Sequence, residues 1–269
     1  MCCLICRSVV PESHGRAFLI DPAMKIKTLT LTAVAALIAG SASAQTYTVK
    51  LGGAYIQPNA TSSSFSGTLP NGLSTRAGVS LEVQPKSTLL FSIERVINDN
   101  FSVELALGLP PEHDVELNVS DVTRANAADS GNPYRAADQH FVNYAGKTIA
   151  TVKQVAPTVF FNYKYGAAGD RFRPYLGLGV NYTKMKAELN KSGQALYNGV
   201  PMTQKLSASI SPAMQVGATY SIDRTWSVNM GVASTFVSST LTVSGNGRTH
   251  TAKFDFTPVA YTATVGYSF

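Results

Sequence analysis

Cysteine is confined to the first six residues of this 269-residue chain, at Cys2, Cys3 and Cys6. Cys3 and Cys6 make a lone C-x-x-C pair with no second pair to complete a metal site, and downstream of them there is no disulfide or thiol chemistry. Charged residues are also scarce, 14% of the chain, and the Lys and Arg are scattered rather than clustered. That argues against a nucleic-acid surface. Beyond His14 the histidines are His113, His140 and His250, all in segments that read as loops. There is no H-E-x-x-H metal motif and no nucleophile elbow, so an enzyme acting on lipid through a Ser–His pair stays open but unsupported. "GLGVNY" (177–182) lacks the third glycine of a phosphate loop. No cofactor is called for.

The first 44 residues differ in kind. "MKIKTLTLTAVAALIAGSASA" (24–44) carries Lys25 and Lys27, an apolar run from Leu29 to Ala39, and Ala42-Ser43-Ala44 before Gln45. This is the layout of a secretory signal peptide cleaved after Ala44. The apolar run is well short of the ~20 residues that span a bilayer, which disfavours a membrane anchor. No Cys stands at the cleavage point, so a lipoprotein anchor is not supported. Residues 1–23 form an extension ahead of the signal, with Met24 the expected start. Removing residues 1–44 takes Arg7, Arg16, Lys25, Lys27, Glu12 and Asp21 with it and leaves 18 Lys and Arg against 14 Asp and Glu. The mature chain, 45–269, reads as one domain.

What that domain has in abundance is period-two alternation. "TYTVKLGGAYI" (46–56) sets Tyr47, Val49, Leu51, Gly53 and Tyr55 against Thr48, Lys50, Gly52 and Ala54, the pattern of a strand. "LLFSIERVI" (89–97) and "FSVELALGL" (101–109) repeat it across "NDN" and read as a hairpin. Further strands are predicted near 151–165, 171–184, 205–222, 225–237 and 254–269, eight in all. Links after the second, fourth and sixth are short: 98–100, 166–170 and 223–224. Links after the first, third, fifth and seventh are long and polar, near 57–87, 110–150, 185–204 and 238–253. One end of the sheet therefore carries tight turns and the other all the large loops, the layout of an outer-membrane β-barrel.

A soluble lipocalin-type barrel would alternate as well. The two faces separate the cases, because one is nearly all apolar or aromatic and the other is Gly, Ser, Thr, Asn and a few charges. Small polar side chains suit the narrow lumen of an eight-stranded barrel. Aromatic residues also gather near strand ends: Tyr47, Phe101, Tyr163, Tyr165, Phe172, Tyr220, Trp226 and Tyr267 on the turn side, with Tyr55, Tyr182 and Phe236 on the loop side. Two such belts mark two membrane interfaces. The predicted fold is an all-β, eight-stranded antiparallel transmembrane barrel, closed because an open edge in lipid would leave backbone groups unpaired.

Five blocks now carry a family resemblance: "VKLGGAYIQPN" (49–59), "LGLPPEHDVEL" (107–117), "APTVFFNYKY" (156–165), "RPYLGLGVNYT" (173–183) and "FTPVAYTATVGYSF" (256–269). Together they resemble the OmpW family along essentially the whole mature chain. The family usually has Pro-Phe where this chain has Pro110-Pro111, and Lys where it has Glu112. These departures bear on loop contacts more than on the fold. The resemblance implies a small outer-membrane barrel associated with passage of small hydrophobic molecules, with members also studied as surface antigens.

Lumen parity adds a reading of the residues themselves. Lys50, Glu94, Glu104, Lys164 and Arg173 should all point inward in the half nearest the turns, where opposite charges in a low-dielectric space must pair. The lower lumen is then plugged. Higher up, Ile56, Leu90 and Phe160, with Leu109-Pro110-Pro111 nearby, outline an apolar pocket. A hydrophobic solute could enter from the loop side and leave sideways into the outer-membrane lipid, because passing the plug would break its pairs. Pro110, Pro111 and Pro157 lack the N–H that a ladder needs, so a gap between the third and fourth strands is expected, although the same prolines could simply end strands. The alternative to a solute path is a structural or adhesive barrel with an inert lumen, whose loops do the work, as a phage or toxin receptor for example. The chain ends in "YTATVGYSF" (261–269), with Tyr261, Ala263, Val265, Tyr267 and Phe269 on the lipid face. It resembles the closing strand that the barrel-assembly machinery reads in outer-membrane proteins.

Overall fold

The computed structural model describes residues 47–64, 66–68 and 78–269. The signal peptide expected at 24–44, its cleavage after Ala44, the extension before it and the three cysteines lie outside the described residues. In chain order the elements are β1 (Tyr47–Gln57), β2 (Ala60–Thr61), β3 (Ser66–Thr68), β4 (Val79–Val83), β5 (Lys86–Val96), β6 (Phe101–Gly108), β7 (Glu112–Val119), α1 (Asp121–Ala128), α2 (Arg135–Val142), β8 (Thr148–Val155), β9 (Thr158–Lys164), β10 (Phe172–Leu189), α3 (Lys191–Leu196), β11 (Thr203–Leu206), β12 (Ser209–Ser221), β13 (Trp226–Thr235), β14 (Val237–Gly245), β15 (Arg248–Phe256) and β16 (Val259–Ser268).

Eight of these strands close an up-and-down barrel. β1 pairs with β5, β5 with β6, β6 with β9, β9 with β10, β10 with β12, β12 with β13, and β13 with β16. β16 returns to β1 in antiparallel register from Thr48↔Ser268 to Gln57↔Val259, so no edge is left over. Alternation sorts the faces as the sequence predicts. Leu51, Phe91, Phe161, Leu178, Val216, Met230 and Val265 stand exposed on the outside, while Lys50, Ser92, Ser102, Asn162, Asn229 and Thr264 are buried within. That apolar exterior suits lipid, not water.

The tight turns are held by short polar side chains, which offer backbone N–H groups an acceptor where the ladder ends. Asn98 Oδ1 accepts from the amides of Asn100 and Phe101 at 3.0 and 2.9 Å. Asp223 Oδ1 accepts from those of Thr225 and Trp226, both at 2.7 Å. Gly166, at φ +84°, supplies the left-handed residue of the middle turn.

The long links are not the polar loops expected from the sequence. Strands continue above the barrel as two sheets. One holds β2, β4, β7 and β8 on the upper part of β10, and the other holds β11, β14, β15 and β3. Several predicted strands are therefore two elements: 151–165 divides into β8 and β9, 205–222 into β11 and β12, and 254–269 falls across β15 and β16. β10 alone runs through, reaching Leu189 rather than stopping near 184. Five of the seven breaks carry proline, at Pro58, Pro85, Pro110-Pro111, Pro157 and Pro258, where a missing N–H ends the ladder. The breaks mark a change of polarity. Below them the lumen is polar and the exterior apolar. Above them Leu81, Val115, Leu117, Ile149, Leu241, Phe254 and Phe256 pack into a buried apolar core, and exposed ion pairs such as Lys153–Glu112 (3.0 Å), Lys186–Glu188 (2.6 Å) and Lys253–Asp255 (2.7 Å) decorate the outside. The upper sheets are water-facing structure built on a lipid-facing stem.

The first and last strands of the barrel meet at the seam. The Tyr47 and Phe269 backbones exchange two hydrogen bonds, 3.0 and 2.9 Å, and their rings stack at 6.2 Å. Tyr267 links this pair to Trp226, with ring centroids 5.0 Å apart. Deleting Phe269 removes one residue's share of the final closure and exposes the first residue of β1. The expected result is a lower yield of folded barrel, scored by its heat-modifiable migration on gels, with unchanged solute uptake per folded molecule.

Candidate functional site

The lower lumen is filled by a charge cluster set by parity on four adjacent strands. Lys50 of β1 reaches Glu94 of β5 at 2.9 Å and Glu104 of β6 at 3.0 Å. Lys164 of β9 reaches Glu94 at 2.6 Å. Glu94 also accepts from the Ser102 hydroxyl. Glu104 accepts from Ser92 Oγ (2.6 Å), Asn162 Nδ2 (3.1 Å) and Gln215 Nε2 (3.2 Å). Two acids meet two bases, and both carboxylates have several donors. Burial of four charges is tolerable only with that degree of compensation.

Arg173 is the exception among the five charges expected to plug the lumen together. Its guanidinium donates to the carbonyls of Tyr165, Lys164, Gly166 and Asp99. It ties two turns together at the base of the barrel instead of neutralising a glutamate, because the turns bring a cluster of carbonyls within its reach. Tyr175, two residues along the same face, lays its ring over β12 and β13. An added Cβ at Gly217 or Gly231 would lie 2.5 or 2.7 Å from the Tyr175 hydroxyl, so these two glycines make room for the ring. Lys50 Nζ lies 6.0 Å from its centroid.

Above this floor lies a cavity of about 140 Å³. Ile56, Leu90, Phe160 and Pro111 line it, together with Thr88, Ala106, Gly108, Gln154, Ala156 and Ala260, and Lys50, Glu104, Tyr175 and Gln215 form its polar end. Leu109 and Pro110, grouped with the pocket on sequence grounds, do not line it. Leu109 is 60% exposed, having the outward parity of β6, and the break at 109–111 shifts the register so that His113, Val115 and Leu117 point inward. A second, smaller cavity of about 40 Å³ lies within the upper core, lined by Leu81, His113, Val115, Met185, Leu241 and Phe254 among others. Gln154 borders both.

The wall beside the larger cavity is interrupted. Pairing between β6 and β9 stops at Ala106↔Thr158. The next backbone bond between these two stretches, among the described residues, is Gln154 N to Pro111 O at 3.1 Å. Carbonyls along the interruption are satisfied sideways. Leu109 O accepts from Thr88 Oγ1 at 2.6 Å, Pro157 O from Tyr182 N at 3.0 Å, and Ala156 O from Thr158 Oγ1 at 3.2 Å. A ladder gap in lipid is stable only if its polar groups find such partners. Leu107, Leu109, Val155 and Val159 stand exposed around it on the outer face, and the small residues Ala106, Gly108 and Ala156 lie on the cavity side.

A sequence model of the OmpW family matches residues 44–269. The chain belongs to the OmpW family. Outer membrane protein W of Escherichia coli is 28% identical over 250 residues, covering 91% of this chain and all of that protein. The crystal structure of OprG from Pseudomonas aeruginosa superposes with a TM-score of 0.67 at 23% identity, over 84% of this chain and 96% of that one. The AlkL structure in lipid bilayers gives 0.53 at 17% identity, over 86% and 94%. This OmpW-family barrel is an outer-membrane protein, with its short turns periplasmic and its upper sheets outside the cell. The relatives are named as membrane proteins and not by a reaction. The three histidines weighed for an enzyme lie in the upper structure, on β7, α2 and β15.

Ser92, Ser102, Asn162, Tyr175 and Gln215 share lumen parity with the predicted charges, and that parity was the signal that would have found them. The β6–β9 interruption had a weaker signal in its prolines. Replacing Lys50 with Met strands Glu104 and removes one of the two cations from Glu94. The expected loss is about 3 kcal/mol of stability, from leaving a buried charge without its partner. Urea unfolding in lipid vesicles measures it, and K50M/E104Q should recover part of the loss.

Proposed function

We propose that this barrel carries small hydrophobic molecules from the cell exterior into the outer membrane, by way of the apolar cavity and out through the wall beside it. The observation that carries the reading is the juxtaposition of that cavity with the interrupted β6–β9 ladder. An apolar solute gains by leaving water for a cavity lined by Ile56, Leu90 and Phe160. Continuing down the barrel axis would require it to part Lys50, Glu94, Glu104 and Lys164, each of which would then lose its partners in a low-dielectric space. Sideways movement past Ala106, Gly108 and Ala156 breaks no ion pair and ends among lipid tails. The expectation drawn from the family resemblance, passage of small hydrophobic molecules, is in keeping with this route.

A fully paired plug and a well-packed outer structure also suit a surface barrel with an inert lumen. Uptake separates the two readings. Cells with the barrel should accumulate a labelled alkane faster than cells without it, and an inert barrel should make no difference. Replacing Pro110 and Pro111 with Val restores ladder donors at the interruption. The expected outcome is uptake reduced several-fold with a normal yield of folded barrel, and unchanged uptake would refute lateral exit.

A further inference from the structure

His113 lines the upper cavity with half of its hydrogen-bonding capacity unused. It lies on β7, opposite Val152 of β8, and is 1% exposed. Its ring lines the upper cavity, and Pro111, two residues earlier, lines the lower. Nδ1 is 2.9 Å from the Gln84 carbonyl oxygen. A carbonyl can only accept, so Nδ1 carries the proton and, in the neutral ring, Nε2 presents a bare lone pair. Nε2 is buried and has no hydrogen-bond partner among the described residues. Burial lowers the His113 pKa below the usual imidazole value, with Lys86 acting in the same direction and the Gln84 and Asp114 contacts opposing it. The ring is therefore neutral at neutral pH. A buried acceptor left without a donor is a standing cost that a native structure seldom carries without use.

We infer that His113 is a specificity-determining residue that accepts a hydrogen bond from the single donor group of an amphiphile, a hydroxyl in the first instance, whose alkyl chain lies along the apolar cavities. The inference rests on the solute-passage reading above. It follows from the tautomer that donors are distinguished from acceptors. An alcohol satisfies Nε2, whereas an ether of the same length brings a second acceptor and an alkane brings nothing. Leu81, Val115 and Phe254 beside the ring are apolar, and the other side chain with a hydrogen-bonding group lining this cavity is Gln154, through its amide. The preference is thus for the hydroxyl over the matched ether, with the alkyl chain contributing equally to both.

The test compares octanol, octyl methyl ether and octane binding to the full-length barrel in lipid nanodiscs, with the histidine ring nitrogens observed by NMR. Octanol should bind about fivefold more tightly than the ether, the size expected of one net hydrogen bond. It should also shift the His113 Nε2 signal, which octane and the ether should leave in place. His113→Phe should bring octanol and ether to equal affinity. If that variant fails to fold, the Nε2 shift in the unaltered protein decides alone. Binding of all three probes with no preference and a stationary Nε2 signal would overturn the role of His113 while leaving solute passage intact. Binding of none of them would overturn both.

Discussion

Every backbone N–H and C=O that meets lipid must be paired within the protein, because the bilayer core offers no alternative partner. The closed ring from β1 to β16 follows from that requirement, as does the meeting of Tyr47 with Phe269 at the seam. Closure at eight strands leaves a lumen just wide enough for side chains, and period-two alternation delivers to it whatever does not face lipid. The charge cluster is a consequence. Lys50, Glu94, Glu104 and Lys164 are inward by parity, and in so narrow a space they become one another's solvent.

The same requirement gives the interruption between β6 and β9 its meaning. A gap in a membrane ladder would ordinarily be costly, and here Thr88, Thr158 and Tyr182 supply the donors that the missing neighbours would have given. The wall is thus weakened without leaving those carbonyls bare. It lies beside the apolar cavity and above a plug held by ion pairs. The polarity change at the proline-marked rim completes the arrangement, setting a packed apolar core with its own small cavity above the polar lumen.

The upper sheets were the least legible part of the chain. "STLTVSGNGRTHTAKFDF" (239–256) alternates as regularly as any barrel strand, and its Asn246-Gly247, both at positive φ, is the expected two-residue hairpin turn. Residues 239–253 read as part of a polar link because their outward face is Ser, Thr and Lys. In water that is the correct outward face. β7 was obscured differently. The break at 109–111 shifts parity, so a pattern carried through from β6 assigns His113 and Val115 to the wrong side. Arg173 had the right parity and the wrong partner, since nearness to a turn cannot be read from alternation alone.

The sequence by itself determined the alternation, the three tight turns, the closing strand and the identity of the inward charges, because each depends on neighbours two to four positions apart. Only the tertiary structure decided which carboxylate each lysine meets, where the ladder between β6 and β9 fails, and that the outer links pack around a core of their own. Those depend on register between strands as far apart as Lys50 and Glu104, and register is settled by closure of the whole ring.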